Sequence, residues 1–118
     1  MDYEVKDIGL AKQGLMNIEY AESQMGALLE VRKRFAKELP LKGLRARMAL
    51  HVTKETAALV RTWIAGGAEV AITGCNQLST PDAVAAEIAR EGVKVFAHKS
   101  ESNADYYTYL NAVLDQYL

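Results

Sequence analysis

RARMALHVTKETAALVRTWIAGGAEVAITGCNQLSTPDAVAAEIAREGVKVFAH, residues 45–98, decides the fold. Three short apolar segments, 47–52, 69–75 and 93–98, alternate with helical patterns at 54–65 and 81–91, and a third helical pattern follows at 103–118. The helical segments repeat apolar residues at three- and four-residue spacing: Leu59, Val60, Trp63 and Ile64, then Val84, Ala85 and Ile88, then Tyr106, Leu110, Val113, Leu114 and Tyr117. Gly66, Gly67 and Gly92 follow the first two, where helices stop. Thr80 before Pro81 reads as a capping hydroxyl ahead of a first-turn proline. Ser102 stands three residues before Asp105, close to a capping box. Strands alternating with helices of this length imply right-handed crossovers and a parallel sheet of about three strands, so the expected class is α/β.

Upstream of this cycle, residues 8 to about 37 carry Leu10, Leu15, Ile18, Met25, Leu28, Leu29, Val31 and Phe35 at helical spacing. Gly14 and Gly26 interrupt the propensity, which allows one broken helix or two. Pro40 ends the pattern and residues 41–44 connect. One domain, 1–118, is expected: a helical lead-in over 1–40 and βαβαβα over 45–118. A free-standing doubly wound domain usually has more strands, and the last helical pattern has no stop signal after it. The chain therefore reads as the front part of something longer.

The composition narrows the function classes. The 118 residues are 50% hydrophobic and 25% charged, as in globular proteins. Fourteen Lys and Arg against fifteen Asp and Glu give a net charge of −1, with no push toward nucleic acid or an anionic membrane. The longest apolar run, from Trp63 to Ala68, is far short of the roughly 20 residues of a membrane span. Half the positive charge lies between Arg32 and Arg47, but no aromatic stacking pattern interleaves it, so a solvated helix face or a subunit contact is expected. A single cysteine, Cys75, excludes an intrachain disulfide and points to a reducing, cytoplasmic setting.

In open parallel sheets ligands bind beyond the carboxyl ends of the strands. That edge collects His51, Thr53 and Glu55 after the first strand, Cys75, Asn76, Ser79 and Thr80 after the second, and His98, Lys99 and Glu101 after the third. Plainer readings stand beside the chemical ones. Thr53 suits a helix cap and Glu55 a first helical turn, where the dipole favours an anion. In a pocket, the Glu55 carboxylate suits an amino group or a sugar hydroxyl, whose hydrogens it accepts. A histidine at a strand end is either a satisfied structural residue or an acid–base group. Cys75 reads as packing before nucleophile, because no histidine or asparagine spacing of a cysteine hydrolase accompanies it. Metal spacing such as HxxxH is missing, so no metal site is expected. No GxGxxG or GxxxxGK(S/T) phosphate loop is present.

At these turns the chain resembles the N-terminal part of the adenosylhomocysteinase family. The matching pieces are YEVKDIGLA (3–11), LPLKGLRARMALHVTKETAALV (39–60), GAEVAITGCNQLSTPDAVAA (67–86) and GVKVFAHKSES (92–102), with Tyr106 shortly after. They cover essentially the whole sequence, and LHVTKETA followed by GCNQLST is the specific part. The resemblance implies a Rossmann-like or flavodoxin-like layered domain. It also implies reversible hydrolysis of S-adenosylhomocysteine to adenosine and homocysteine, by oxidation of the ribose 3′-hydroxyl with bound NAD, elimination, water addition and reduction. Carried onto this sequence, it implies that Leu50 packs on adenine, Glu55 bonds the base edge and Thr53 contacts the ribose side. His51 would act near the 5′ carbon, and Cys75, Asn76 and Ser79 would line the second turn, with Asn76 nearest the reacting centre.

The sequence departs from the family pattern at Pro81, where glutamine is usual, at His98, where tryptophan is usual, and at Ser100, which replaces glycine. Lys99 and Glu101 are retained. The family's catalytic lysine and aspartate and its NAD-binding domain have no counterpart here. The expectation is thus the N-terminal substrate-binding portion of such an enzyme: inactive alone, without NAD, binding adenosine or S-adenosylhomocysteine, and homo-oligomeric. The alternative is a self-contained α/β binding or scaffold protein, natural or engineered, which dimerises through an open sheet edge. A receiver-like domain is set aside, because His51 and Cys75 occupy the strand ends where aspartates belong.

Overall fold

The computed structural model describes residues 2–117. A short 3-10 turn at Ile8–Leu10 leads into helices α1 (Ala11–Ser23) and α2 (Gly26–Glu38). Strands β1 (Arg45–Ala49), β2 (Glu69–Thr73) and β3 (Lys94–Phe96) then alternate with α3 (Lys54–Ala65), α4 (Asp82–Arg90) and α5 (Asn103–Asp115). The α/β class with a three-stranded parallel sheet is as expected, and the strands lie in the order β1-β2-β3. Arg47 sits opposite Ala71, and Ala71 opposite Lys94.

The strands end sooner than their apolar runs. β1 begins at Arg45 and closes at Ala49 rather than spanning 47–52. Leu50 N–H still donates to Thr73 O, but Thr53 N–H turns back to His51 O at 2.9 Å and bends the chain into α3. Val52 is apolar because it is fully buried beneath this turn, not because it pairs. β2 and β3 likewise stop at Thr73 and Phe96, short of 75 and 98.

Helix signals held where a side chain could reach the backbone. α3 has the expected limits, and α5 has a complete capping box: Ser102 Oγ accepts from Asp105 N–H, and Asp105 Oδ2 from Ser102 N–H. Asp115 ends α5, and the expected end, Leu118, lies outside the described residues. The Thr80 cap did not form. Pro81 is extended, with ψ 114°, so α4 starts at Asp82, and Thr80 is buried with its hydroxyl unpartnered. Gly67 and Gly92, at φ 102° and 100°, make the left-handed turns after α3 and α4 that favour glycine.

The lead-in is two helices, parted at Gln24 and Met25. Gly14 is no break: a Cβ there would stand 1.9 Å from Ala83 O, so it is where α1 closes on α4. Nor is the lead-in wholly helical. Glu4 donates to Val95 O and accepts from Ala97 N–H, covering the outer edge of β3.

β2 is buried on both faces. Val70 and Ile72 join Ile18, Val60, Val84 and Ile88 in the main core, while Ala71 meets Phe96, Tyr109 and Val113. Thus α3 and α4 cover one face, with α1 packed on the outside of both, and α5 covers the other. Two expected faces are rotated. On α3 the buried residues are Ala57, Ala58, Val60 and Thr62, whereas Leu59 and Ile64 are exposed. The small ones admit α2, whose Arg32 donates to Ala58 O and Thr62 Oγ1. On α5 the buried pair is Tyr109 and Val113, and Leu114 is exposed, because that face meets only a narrow sheet. Much of the basic run is engaged: Arg32 with Glu22, Arg34 with Glu38, Arg45 with Glu69, and Arg47 with Leu114 O. Among the described residues no helix is long and apolar enough to cross a membrane.

Candidate functional site

The three turns at the carboxyl edge of the sheet converge, as the alternation of strand and helix requires. Leu50 continues β1 by one ladder bond and leaves its side chain 39% exposed. His51 projects from the turn, and its Nδ1 lies 2.8 Å from Ser79 Oγ of the second turn. Ser79 Oγ is also 3.2 Å from Asn76 O. The hydroxyl has one proton for these two neighbours. Given to the Asn76 carbonyl, it leaves Nδ1 as the donor and Nε2 free as a base. Given to Nδ1, it leaves Nε2 protonated, a hydrogen-bond donor. The position of the hydroxyl proton thus sets the tautomer of the ring.

Thr53 and Glu55 take the plainer places and keep chemical capacity. Thr53 Oγ1 accepts from Thr56 N–H at 3.3 Å and caps α3. Glu55, in the first turn, is exposed. Its own backbone amide and the Lys54 ammonium hold the carboxyl below the usual glutamate range, so it is an acceptor at neutral pH. Both residues line a cavity of about 390 Å³ whose other walls include Asn17 and Tyr20 of α1.

The second turn is shaped by Asn76. Its Oδ1 accepts from Leu78 N–H at 2.8 Å, which closes the turn and leaves the amide NH2 free to donate. Cys75 is exposed, and it lines a second cavity of about 420 Å³ with Asn76, Gln77 and Tyr106. Gln77 Nε2 donates to Asn103 Oδ1 and fastens this turn to the start of α5.

The third turn holds a residue that the sequence reading placed on this edge without a role. Glu101 is 5% exposed, and neither carboxylate oxygen has a hydrogen-bond partner. Burial pushes its carboxyl up, against the opposing pull of His98. A buried carboxylate without partners is costly, so such a group marks a place for a donor from outside the chain. Its position after the third strand, matching those of His51 and Asn76, was the available signal. His98, by contrast, is held: Nδ1 donates to Lys99 O, Nε2 is 3.5 Å from Asp105 Oδ2, and the ring meets Tyr109 edge-on. Ser100, at φ 63°, sits in the left-handed region that favours glycine.

These turns do not fit a dinucleotide. Only the second holds a glycine, Gly74, and a Cβ on it would meet Thr80 Oγ1 at 3.2 Å rather than open space. The close backbone approach that a pyrophosphate needs is not offered. Among the described residues no three His, Cys, Asp or Glu side chains converge as a metal would require.

Residues 2–117 match the family model described as S-adenosyl-L-homocysteine hydrolase. An adenosylhomocysteinase of Sulfurisphaera tokodaii is 55% identical over 114 residues, 97% of this chain and 28% of that protein. An S-inosyl-L-homocysteine hydrolase of Methanocaldococcus jannaschii is 50% identical over 113 residues, 96% of this chain and 27% of that protein. An adenosylhomocysteinase of Aquifex aeolicus is 48% identical over 117 residues, 98% and 28% of the two chains. The chain spans about 28% of the length of these relatives.

Proposed function

The chain belongs to the S-adenosyl-L-homocysteine hydrolase family, and on that basis we propose that its carboxyl edge is the nucleoside half of a substrate-binding site for S-adenosylhomocysteine and adenosine. The observation that carries this is the convergence of His51, Ser79 and Asn76 from two neighbouring strand ends, beside the cavity lined by Thr53 and Glu55.

In this reading Glu55 accepts from the base edge, Leu50 offers an exposed apolar surface to the purine, and Thr53 faces the ribose. His51, with its tautomer set through Ser79, serves as the acid–base group at the 5′ carbon. Asn76 donates its free amide hydrogens toward the reacting centre, and Cys75 lines the turn. Glu101 receives sugar hydroxyl donors, which its unpartnered oxygens need. NAD, where the family binds it, supplies redox chemistry; the turns of residues 2–117 do not fit it, so the proposed role of this chain is binding and proton handling, without turnover by itself. The three-stranded Rossmann-like unit is taken as the core of a substrate-binding domain.

We take the setting as cytoplasmic, which suits an exposed lone thiol at Cys75. A homo-oligomer is also proposed, and the open outer edge of β1 favours it. Amide NMR titration with adenosine tests the reading. Shifts concentrated in residues 50–55 and 75–80 are expected. A well-dispersed spectrum that adenosine does not move would overturn the half-site.

A further inference from the structure

Glu101 serves a nucleoside only when its carboxylate is held within reach of the same ligand as His51 and Asn76, and it sits on a different turn from either. That turn is fastened at its two ends. Lys99 N–H donates to Asp82 Oδ1 at 2.8 Å, at the start of α4, and the Ser102 capping box fixes the far end to α5. Between them Ser100 stands at φ 63°, a conformation that a serine keeps only where its surroundings impose it.

Gln77 imposes it. Its backbone carbonyl accepts from Ser100 N–H at 2.8 Å, and its side-chain Nε2 donates to Asn103 Oδ1 at 2.6 Å. The two bonds grip the chain one residue before Glu101 and two residues after it. Gln77 also follows Asn76, whose carbonyl faces Ser79 Oγ and, beyond it, His51 Nδ1. The first and second turns are thereby joined to the third through one residue. An apolar side chain at this position would keep the carbonyl bond and lose the amide one, so the second grip depends on the glutamine itself.

We infer that Gln77 is a positioning residue for nucleoside binding, which sets the place of the Glu101 carboxylate relative to His51 and Asn76 and takes no part in the chemistry. Its carbonyl and its amide nitrogen are both committed to the third turn. Without the amide bond, residues 100–103 pivot on their remaining contacts and Glu101 reaches water. Burial holds the Glu101 carboxyl above the ordinary glutamate range, and the charged groups acting on it are His98, which opposes the rise, and Asp105, which adds to it. Its titration therefore reports its placement with no ligand present. The role in binding rests on the half-site reading above.

The test uses Gln77→Met, which keeps the side-chain length and cannot donate, Asn103→Ala, and the exchanged pair Gln77→Asn with Asn103→Gln, which restores a donor and an acceptor over the same total length. The Glu101 carboxyl 13C titration is followed without ligand, and adenosine affinity by amide shifts of the full chain. Gln77→Met and Asn103→Ala should each lower the Glu101 midpoint toward the ordinary value of about 4.3. Each should weaken adenosine about fivefold, the two losses should not add when combined, and the exchanged pair should recover both readings. A merely structural bond would lower the melting temperature and leave the midpoint in place. An unmoved midpoint in Gln77→Met, or losses that the exchanged pair does not recover, would overturn the inference and leave the half-site standing. A parent chain that binds no adenosine would overturn the half-site reading and, with it, the role of Gln77 in binding.

Discussion

His51 Nδ1 and Ser79 Oγ lie 2.8 Å apart although 28 residues separate them in sequence. The contact joins the turn after β1 to the turn after β2, and through Ser79 it reaches the Asn76 carbonyl. Replacing Ser79 by alanine removes the group that fixes the imidazole tautomer while burying no new charge. Stability should fall by no more than about 1 kcal/mol, the usual net worth of one such bond. The imidazole 15N shifts of His51 should move toward a mixture of tautomers, and adenosine-induced shifts in residues 75–80 should uncouple from those in 50–55. Unchanged imidazole shifts would show that Ser79 does not set the proton position.

Glu101 predicts a stability that runs against the usual acid trend. Burial raises its folded-state pKa above the unfolded value of about 4.3. A raised pKa means that the fold holds the proton more tightly than the unfolded chain does. Its contribution is therefore fully present below the unfolded pKa and is lost as pH rises through the folded one. Glu101→Gln cannot ionise, so urea melts should show the variant more stable at pH 7 by on the order of 1 kcal/mol. Near pH 4 the two proteins should converge. Adenosine binding should weaken in the same variant, because the amide is a poorer acceptor for sugar hydroxyls. A variant that is less stable at pH 7 would mean that Glu101 has partners.

Sequence and structure agree most where one side chain settles a local choice. Ser102 and Asp105 cap α5 as their spacing requires. Thr53 caps α3, and the sheet with its carboxyl-edge residues followed from the alternation of segments. What was not legible depends on distant packing. Leu59 and Ile64 lie outside because α2, not visible in the α3 pattern, covers the Ala58 and Thr62 side. Gly14 looks like a helix breaker until Ala83 is known to approach it. Glu4 shows no strand signal, since a single bridge has no periodicity. At the site, the residue types were legible at each turn. The pairing of His51 with Ser79, the isolation of Glu101 and the meeting of Lys54 with Glu55 required the fold.

Gly14 and Gly26, alike in the sequence, should respond in opposite ways to alanine. At Gly14 the new Cβ would lie 1.9 Å from a backbone oxygen and 2.6 Å from its carbon, and neither can swing aside. α1 must then lift from α4, at a cost of about 2 kcal/mol or more. At Gly26 a Cβ meets nothing within 4 Å, and the residue opens α2. Alanine there should stabilise by about 0.5 kcal/mol through helix propensity. Thermal melts of the two single variants check both signs.

Arg61 holds the layers together through charge. Its guanidinium donates to Glu91 through Nε at 2.9 Å and Nη2 at 2.5 Å, and to Glu22 through Nη1 at 2.9 Å. It also lies 3.7 Å from the fully buried Glu87, so α1, α3 and α4 share one ion. Arg61→Met keeps the apolar stem but leaves Glu91 without its cation, beside Glu22 and Glu87, which keep Arg32 and Arg90. The cost at pH 7 should be about 2–3 kcal/mol, between the surface and fully buried cases. The parent's acid response follows from Glu87, whose carboxyl is held below the glutamate range chiefly by its bonds to Arg90. A depressed pKa contributes stability above the unfolded value and loses it as pH falls through the folded one. The Arg61→Met deficit should accordingly shrink below about pH 4, as protonation relieves the repulsion. A deficit independent of pH would assign the loss to packing of the Arg61 stem rather than to its charge.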